Sequence, residues 1–218
     1  MAPHAEKRFD CLIHGAVVYD GTGSLPVRAD LGLRGDRIAA VAPGLLVGSE
    51  ADQIIDATGC ALAPGFVDVH THDDFATILY PEMPFKIHQG VTTAVVGNCG
   101  FGAAPYGAAA SMARAFHPNA RLPRWEGYEG YLRFLDSEPA SLNVAALVGH
   151  GAVRLSAMGV QARGCTNAEL GTMRDSVREG LGAGAFGLST GLVYEPGCHA
   201  TAEEILALAR ELAGTAAV

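Results

Sequence analysis

The sequence predicts an α/β fold: the first half of a (β/α)8 barrel, truncated after four strand–helix units and preceded by a small β-domain. Four apolar runs of strand length alternate with segments that have the amphipathic pattern of helices. Strands joined through helices favour a parallel sheet. A complete barrel needs eight such units in roughly 250 residues. This chain has 218 residues, so we expect half of a barrel.

Composition excludes several classes of function. A hydrophobic fraction of 49% is ample for a core, and a formal net charge of −8 gives no general attraction for nucleic acid or anionic membranes. We therefore expect a small-molecule partner, with no nucleic acid and no membrane. The chain has no signal-peptide-like start and no run of the roughly 20 apolar residues that span a membrane. These features predict a cytoplasmic protein.

Residues 1–60 are interpreted as a small β-domain. Short apolar pieces alternate there with turn signals such as Asp20-Gly21 and Gly35-Asp36. The predicted strands are residues 11–14, 16–19, 31–33, 37–41 and 53–56.

Residues 61–218 are interpreted as the first four units of the barrel. The predicted strands end at His72, Cys99, His150 and Thr190. Residues 101–124, rich in Ala, Gly and Pro, predict a long loop with some helix. Thr166 and Glu169 form a capping box that predicts the start of a helix, which Gly184 can end. Thr201 is expected to begin the last helix.

Two motifs at the ends of the first two strands are candidate metal ligands. If the run before residue 72 is a strand, His70 and His72 point to one side, with Asp68 below them, because alternate residues share a face. Cys99 ends the second strand. Neutral imidazoles and a thiolate suit zinc, a borderline-soft divalent ion. The pattern therefore predicts a metallohydrolase.

Further polar residues lie at the same predicted edge of the sheet, where the loops of a β/α barrel carry its chemistry. His150 is equally consistent with substrate contact, as a catalytic residue, and with a structural role. Asp68 is interpreted as an acceptor that orients the two histidines, or as a buried structural carboxylate. Asp73 and Asp74 are interpreted either as carboxylates that tune the site or, preferentially, as caps of the following helix.

Four segments together carry a family pattern. They are residues 64–74 (PGFVDVHTHDD), 90–100 (GVTTAVVGNCG), 143–151 (NVAALVGHG) and 187–194 (GLSTGLVY). These segments resemble the D-aminoacylase branch of the amidohydrolase superfamily, the N-acyl-D-amino-acid deacylases. The His-x-His pair is shared by many amidohydrolases, whereas its combination with Gly-Asn-Cys-Gly is specific to this branch. Residues 15–23 (GAVVYDGTG) resemble the superfamily's N-terminal β-sandwich half. The resemblance implies that residues 1–60 are the N-terminal part of a small β-sandwich domain, the segment that precedes the barrel.

The resemblance implies a zinc-dependent hydrolase of the linear amide bond in N-acyl-D-amino acids, with one or two zinc ions per complete enzyme. His70 and His72 match the metal pair of the first strand, and Cys99 matches a cysteine that replaces the carboxylated lysine of other amidohydrolases. Tyr194 matches a tyrosine that binds substrate. Two more histidine ligands and the general-base aspartate are expected beyond Val218. We therefore expect the isolated chain to bind zinc weakly and to be inactive.

Two alternatives stay open at this stage. One is a dihydroorotase-like or hydantoinase-like cyclic amidase, although the Gly-Asn-Cys-Gly motif argues against it. The other is a non-catalytic half barrel that works only with a complementary chain. A half barrel leaves unpaired sheet edges, which predict self-association. The sequence leaves open the acyl group, the D-amino acid and the number of metal ions.

Overall fold

The chain divides after Pro64 into two units, Met1–Pro64 and Gly65–Val218. The division falls four residues beyond the predicted domain boundary at residue 60. The structure, a computed structural model, describes residues 8–45, 51–119 and 121–218. The candidate functional residues named above all belong to the second unit.

The first unit contains a five-stranded sheet. Its strands are β1 (Phe9–Val18), β2 (Val27–Arg34), β3 (Arg37–Ala42), β4 (Ala51–Asp56) and β5 (Ala61–Leu62). The hydrogen-bonded order is β3-β2-β1-β4, and β5 pairs with β1. β1 runs antiparallel to β2 and parallel to β4. Residues 8–45 and 51–64 show this one sheet and no second layer.

Strand β1 joins two pieces that the sequence separates at Gly15. The break is a β-bulge, where the register with β2 shifts between Ile13 and Ala16. Gly15 has a φ of +76°, and a Cβ atom there would lie 2.6 Å from Thr58 Oγ1. Glycine at this position therefore bends the strand without ending it.

The second unit contains four parallel strands, which confirms the predicted α/β half barrel. In chain order and in sheet order they are β6 (Phe66–Asp68), β7 (Val91–Val96), β8 (Asn143–Gly149) and β9 (Gly187–Ser189). Val218 pairs beside β9: its N–H donates to Phe186 O at 3.0 Å, and its carbonyl accepts from Leu188 N–H at 2.8 Å. This is parallel pairing, so Val218 takes the position of a fifth strand.

The described helices of the second unit connect these strands. They are α1 (Ala76–Leu79), α2 (Pro84–Ile87), α3 (Tyr106–Phe116), α4 (Gly127–Ser137), α5 (His150–Met158), α6 (Asn167–Ala183) and α7 (Ala202–Ala209). The predicted capping box opens α6, with both the Thr166 and the Glu169 bonds formed, and Gly184 follows it at φ +110°. The Thr201 side chain caps α7.

Helix α3 occupies eleven residues of the segment predicted to be mostly loop. Alanine is the strongest helix former, and Ala109 and Ala113 are buried in the main core. Tertiary burial therefore adds to the local helix propensity and outweighs the loop signals of the neighbouring Gly and Pro residues. Across the described residues, no helix combines the length and the apolar character needed to cross a membrane.

Candidate metal centre

The three predicted metal ligands lie together at the carboxyl ends of β6 and β7. One donor atom each from His70, His72 and Cys99 falls within 4.8 Å of the others. Cys99 Sγ is 3.3 Å from His70 Nε2. The two imidazole rings meet edge to face, with centroids 5.8 Å apart. Two histidines and one cysteine thus form a compact donor set, which we name the HHC cluster.

The two histidines do not lie on a strand, and this part of the prediction is wrong. β6 ends at Asp68, so His70 and His72 occupy the turn that follows. Asp68 Oδ1 accepts the His70 backbone N–H at 3.2 Å, a local bond of the kind by which an aspartate turns the chain out of a strand. Asn98 Nδ2 donates to Thr71 O at 3.3 Å. The turn, and not strand alternation, brings the imidazoles together.

Lys86 holds this turn from α2, and sequence reasoning missed it. Its ammonium lies 2.6 Å from Asp68 Oδ2, 2.9 Å from Asp73 Oδ2 and 3.2 Å from Thr71 Oγ1. Burial opposes the charge, but the two carboxylates raise the pKa of Lys86 above its ordinary value. A lone lysine eighteen residues after Asp68 gives no sequence signal of this contact.

Asp68 therefore acts differently from the prediction. Its carboxylate contacts Lys86 and the backbone of His70, and none of its described hydrogen bonds reaches an imidazole. The hydrogen bond from Lys86 is the main cause that lowers the pKa of Asp68. Asp68 fixes the main chain that carries His70, rather than the orientation of the ring.

The predicted capping by Asp73 and Asp74 is also wrong. Helix α1 begins without a side-chain cap. Asp73 accepts the Thr71 hydroxyl at 2.6 Å and pairs with Lys86. Asp74 is buried, its Oδ1 has no hydrogen-bond partner, and burial raises the pKa of its carboxyl to about 7. Both carboxylates belong to the packing beneath the HHC cluster.

Cys99 is presented by an unusual turn after β7. Gly97, Cys99 and Gly100 have φ values of +83°, +55° and +76°. A Cβ atom on Gly97 would lie 2.3 Å from Leu147 O, so glycine is required there. A left-handed conformation costs a residue such as Cys99 about 1 kcal/mol. Backbone strain of this kind persists where surrounding contacts hold it.

Those contacts come from Asn98 and from Ser189 on β9. Asn98 Nδ2 donates to Val95 O at 2.7 Å. Ser189 Oγ accepts the Gly100 N–H at 3.0 Å and donates its hydroxyl proton to Gly97 O. The ends of two strands thereby fix the turn, and the thiol of Cys99 meets His70.

The HHC cluster is open to solvent: both histidines are exposed and Cys99 is half-buried. Partial burial, followed by the neighbouring His70, lowers the pKa of His72. This favours the neutral imidazole, which is the form that binds metals. The donors therefore fit a zinc ion in type and in spacing.

A row of packed aromatic side chains connects Tyr194 to the HHC cluster. His72 and Phe101 have centroids 5.3 Å apart, and Phe101 and Tyr194 are 5.4 Å apart. A small pocket touches Cys99, Tyr194 and Glu195. A larger cleft of about 590 Å³ is lined by the residues around Thr92 and Asn143, at the opposite ends of β7 and β8. That cleft contains none of the predicted ligands.

His150 is placed differently from the other predicted residues. It is the first residue of α5 and is completely buried. Its Nε2 lies 2.8 Å from Glu204 Oε1, and Glu204 also pairs with the buried Arg154. Burial is the main cause that lowers the pKa of His150. This environment favours the structural role over substrate contact.

Arg154 extends this buried network to the loop after β9. Its guanidinium donates to Pro196 O at 3.0 Å and to His199 O at 3.5 Å. Glu204 balances the charge. Sequence reasoning missed both residues, because an arginine on α5 and a glutamate at the start of α7 resemble ordinary surface charges.

The chain matches known proteins along most of its length. The sequence pattern of the amidohydrolase family matches residues 53–217. The chain is 41% identical to a D-aminoacylase of Alcaligenes xylosoxydans xylosoxydans over 97% of this chain and 44% of that protein. It is 40% identical to an N-acyl-D-glutamate deacylase of the same organism over 98% of this chain and 43% of that protein.

A solved structure agrees with these sequences. The N-acyl-D-glutamate deacylase of Bordetella bronchiseptica, complexed with zinc and a phosphonate inhibitor, superposes with a TM-score of 0.85 and 42% identity. The match covers 95% of this chain and 43% of that one. The chain thus spans less than half the length of the relatives it matches.

Proposed function

The chain belongs to the amidohydrolase family, and we propose that it supplies the metal-binding first half of a zinc-dependent deacylase of N-acyl-D-amino acids. The relatives named above are D-aminoacylases and N-acyl-D-glutamate deacylases. The observation that carries the proposal is the HHC cluster, because its cysteine follows the second strand in a Gly-Asn-Cys-Gly turn. A cyclic amidase is disfavoured by the same turn.

In this proposal His70, His72 and Cys99 hold the zinc. A zinc ion bound here would supply Lewis acidity to the amide carbonyl and to a water molecule. Lys86 positions the donors, because it joins Asp68, Asp73 and Thr71 around the turn that carries both histidines. The strained turn at Cys99 sets the thiol against His70 before any metal binds. Preorganised ligands lose less entropy when they bind.

Tyr194 is proposed to bind substrate. Its ring packs on Phe101, which packs on His72, and it lines the small pocket beside Cys99. Its side chain is exposed, so the hydroxyl is available to a carboxylate or acyl oxygen of an N-acyl-D-amino acid.

The residues described here do not complete the reaction. No carboxylate oxygen joins the HHC donors within 4.8 Å; Asp68 and Asp73 are paired with Lys86, and Asp74 is buried. Among the described residues, no carboxylate base therefore lies within 4.8 Å of the donors, and zinc prefers four ligands where three are present. We expect weak zinc binding and no hydrolysis by the chain alone.

We also propose a cytoplasmic location and a small-molecule substrate, with no nucleic-acid and no membrane partner. All five cysteines are free thiols, which is the usual state in a reducing compartment.

The test supplies the rest of the fold from a relative. The chain is co-expressed with the part of the Bordetella bronchiseptica deacylase that lies beyond the matched region, and the complex is assayed with N-acetyl-D-amino acids and their L enantiomers. We expect zinc-dependent hydrolysis of the D substrates that Cys99→Ser abolishes and Cys60→Ser preserves. A complex that holds zinc and cleaves only cyclic amides, or nothing, contradicts the proposal.

A further inference from the structure

We propose that Glu195, Cys198 and His199 form a second cation site, for a divalent ion of the zinc class, on the loop between β9 and α7. One donor atom from each of the three residues lies within 4.8 Å of the others. His199 Nε2 and Glu195 Oε1 are 2.9 Å apart. No residue of the HHC cluster belongs to this set, which we name the ECH site.

The donor types select the class of ion. A thiolate and an imidazole favour zinc and similar transition metals, whereas magnesium and calcium prefer oxygen ligands alone. Zinc accepts carboxylate oxygen as a third ligand, and water fills the remaining position of such a site. Binding releases the proton of the Cys198 thiol to solvent.

The local fold places these side chains together. A short 3-10 turn, Gly197–His199, follows Pro196. The Cys198 N–H donates to Tyr194 O at 2.9 Å. The turn brings His199 back toward Glu195, four residues earlier, and leaves Cys198 beside both.

The buried network beneath the loop makes this arrangement firm. Arg154 is fully buried and donates to Pro196 O and His199 O. Glu204 and His150 are fixed in the same network. The main chain of the ECH site is therefore tied to the core, and a bound ion has to order only three side chains.

Charge and exposure also favour a cation. The Glu195 carboxylate lies beside Cys198 and His199, and carboxylate oxygen is among the ligands that zinc accepts. The side chains of Glu195 and His199 are 56% and 30% exposed, so an ion can enter from solvent. Glu195 and Tyr194 also line the pocket beside Cys99. The ion would sit at the rim of the proposed substrate site.

Cobalt(II) provides the first test, because a cobalt–thiolate bond gives a charge-transfer absorption that reports each cysteine ligand. The metal-free chain is titrated as Cys99→Ser, which removes the thiol of the HHC cluster. We expect the thiolate band to persist and to vanish in Cys99→Ser/Cys198→Ser, while Cys99→Ser/Cys60→Ser keeps it. In the Cys99→Ser background, His199→Asn should lower the cobalt affinity at least roughly tenfold. A band that Cys99→Ser alone abolishes, or that survives the loss of Cys198, overturns the proposal.

A second test follows the histidine ring signals by NMR in a chain that keeps Cys99. It therefore does not depend on whether the Cys99→Ser variant folds. Zinc should shift the ring signals of His199, and Cys198→Ser should abolish that shift while the zinc response of His70 and His72 remains. A His199 ring that zinc at saturation leaves unmoved overturns the ECH site. Failure of the HHC cluster appears separately, in the signals of His70 and His72.

Discussion

Histidines follow the strands of the half barrel at two sites: the HHC cluster and the buried network of His150. The two sites differ in what surrounds the imidazole nitrogens. In the HHC cluster, His70 and His72 are exposed and face a thiol. His150 is fully buried, with one nitrogen bonded to Glu204 and that carboxylate shared with Arg154. Position at a strand end is common to both. Solvent access and the identity of the neighbouring donors separate a candidate metal site from a structural network.

Breaking the buried network should have the largest effect. Glu204→Gln leaves the Arg154 guanidinium without its counter-charge, and loss of one partner of a buried ion pair costs about 3–5 kcal/mol of unfolding free energy. Urea denaturation measures this loss. The matched control is Glu129→Gln, which breaks an exposed pair with Arg133 and should cost under about 1 kcal/mol. Similar losses for the two variants would contradict the contrast between buried and exposed clusters.

Removing the thiol of the HHC cluster should weaken zinc binding and leave the free energy of unfolding nearly unchanged. Cys99→Ser is expected to weaken zinc binding by roughly 100-fold in the presence of Cys198→Ser, since even outer hydrogen-bond partners of metal sites are worth about 10–100-fold. The unfolding free energy should change little, because Cys99 is only half-buried. Chelator competition gives the affinity, with Cys60→Ser as control. Unchanged zinc affinity would remove Cys99 from the ligand set.

Substitution of Lys86 tests whether its ion pairs hold the turn that carries His70 and His72 in position. Lys86→Met leaves Asp68 and Asp73 without their common partner and should weaken zinc binding about tenfold. Lys86→Arg keeps the charge and should restore part of the affinity. If both variants bind zinc as the parent does, Lys86 serves stability alone.

The pH dependence of stability should carry the signature of His150. Burial lowers its pKa in the folded chain, so the unfolded chain binds a proton near its ordinary pKa of about 6.5 while the native chain does not. This contribution to stability is present above that pH and is lost as the pH falls below it. Unfolding free energies at about pH 7.5 and about pH 5.5 should differ less in His150→Asn than in the parent. An equal difference would place the titrating group elsewhere.

The smallest effect is expected at the open edge of the sheet. Phe66 and Val67 of β6 are 62% and 55% exposed. Among the described strands β6 pairs with β7 alone, and an exposed apolar edge strand invites association. The chain should form dimers or larger species as its concentration rises, as judged by sedimentation. Phe66→Lys should reduce this tendency, with Leu25→Lys, another exposed apolar position, as control. Equal association of both variants would exclude the β6 edge.

Strand order, the α6 capping box and the three HHC residues were predictable from the sequence, because hydrophobic period and local motifs report them directly. The route by which His70 and His72 meet was not. A three-residue strand and a turn held by Lys86 replace the predicted alternation, and Lys86 comes from a different element. His150 shows the same limit. Its partner Glu204 is fifty-four residues away, and only tertiary packing reveals that the pair is buried.

X-ray absorption at the zinc edge tests the central claim, that His70, His72 and Cys99 share one ion. The sample is Cys198→Ser chain with one equivalent of zinc, so that the ECH site cannot contribute sulfur. We predict one sulfur at about 2.3 Å and two imidazole nitrogens at about 2.0 Å, with the sulfur lost in Cys99→Ser/Cys198→Ser. A zinc ion surrounded by oxygen alone, or a sulfur that remains without Cys99, would contradict the account.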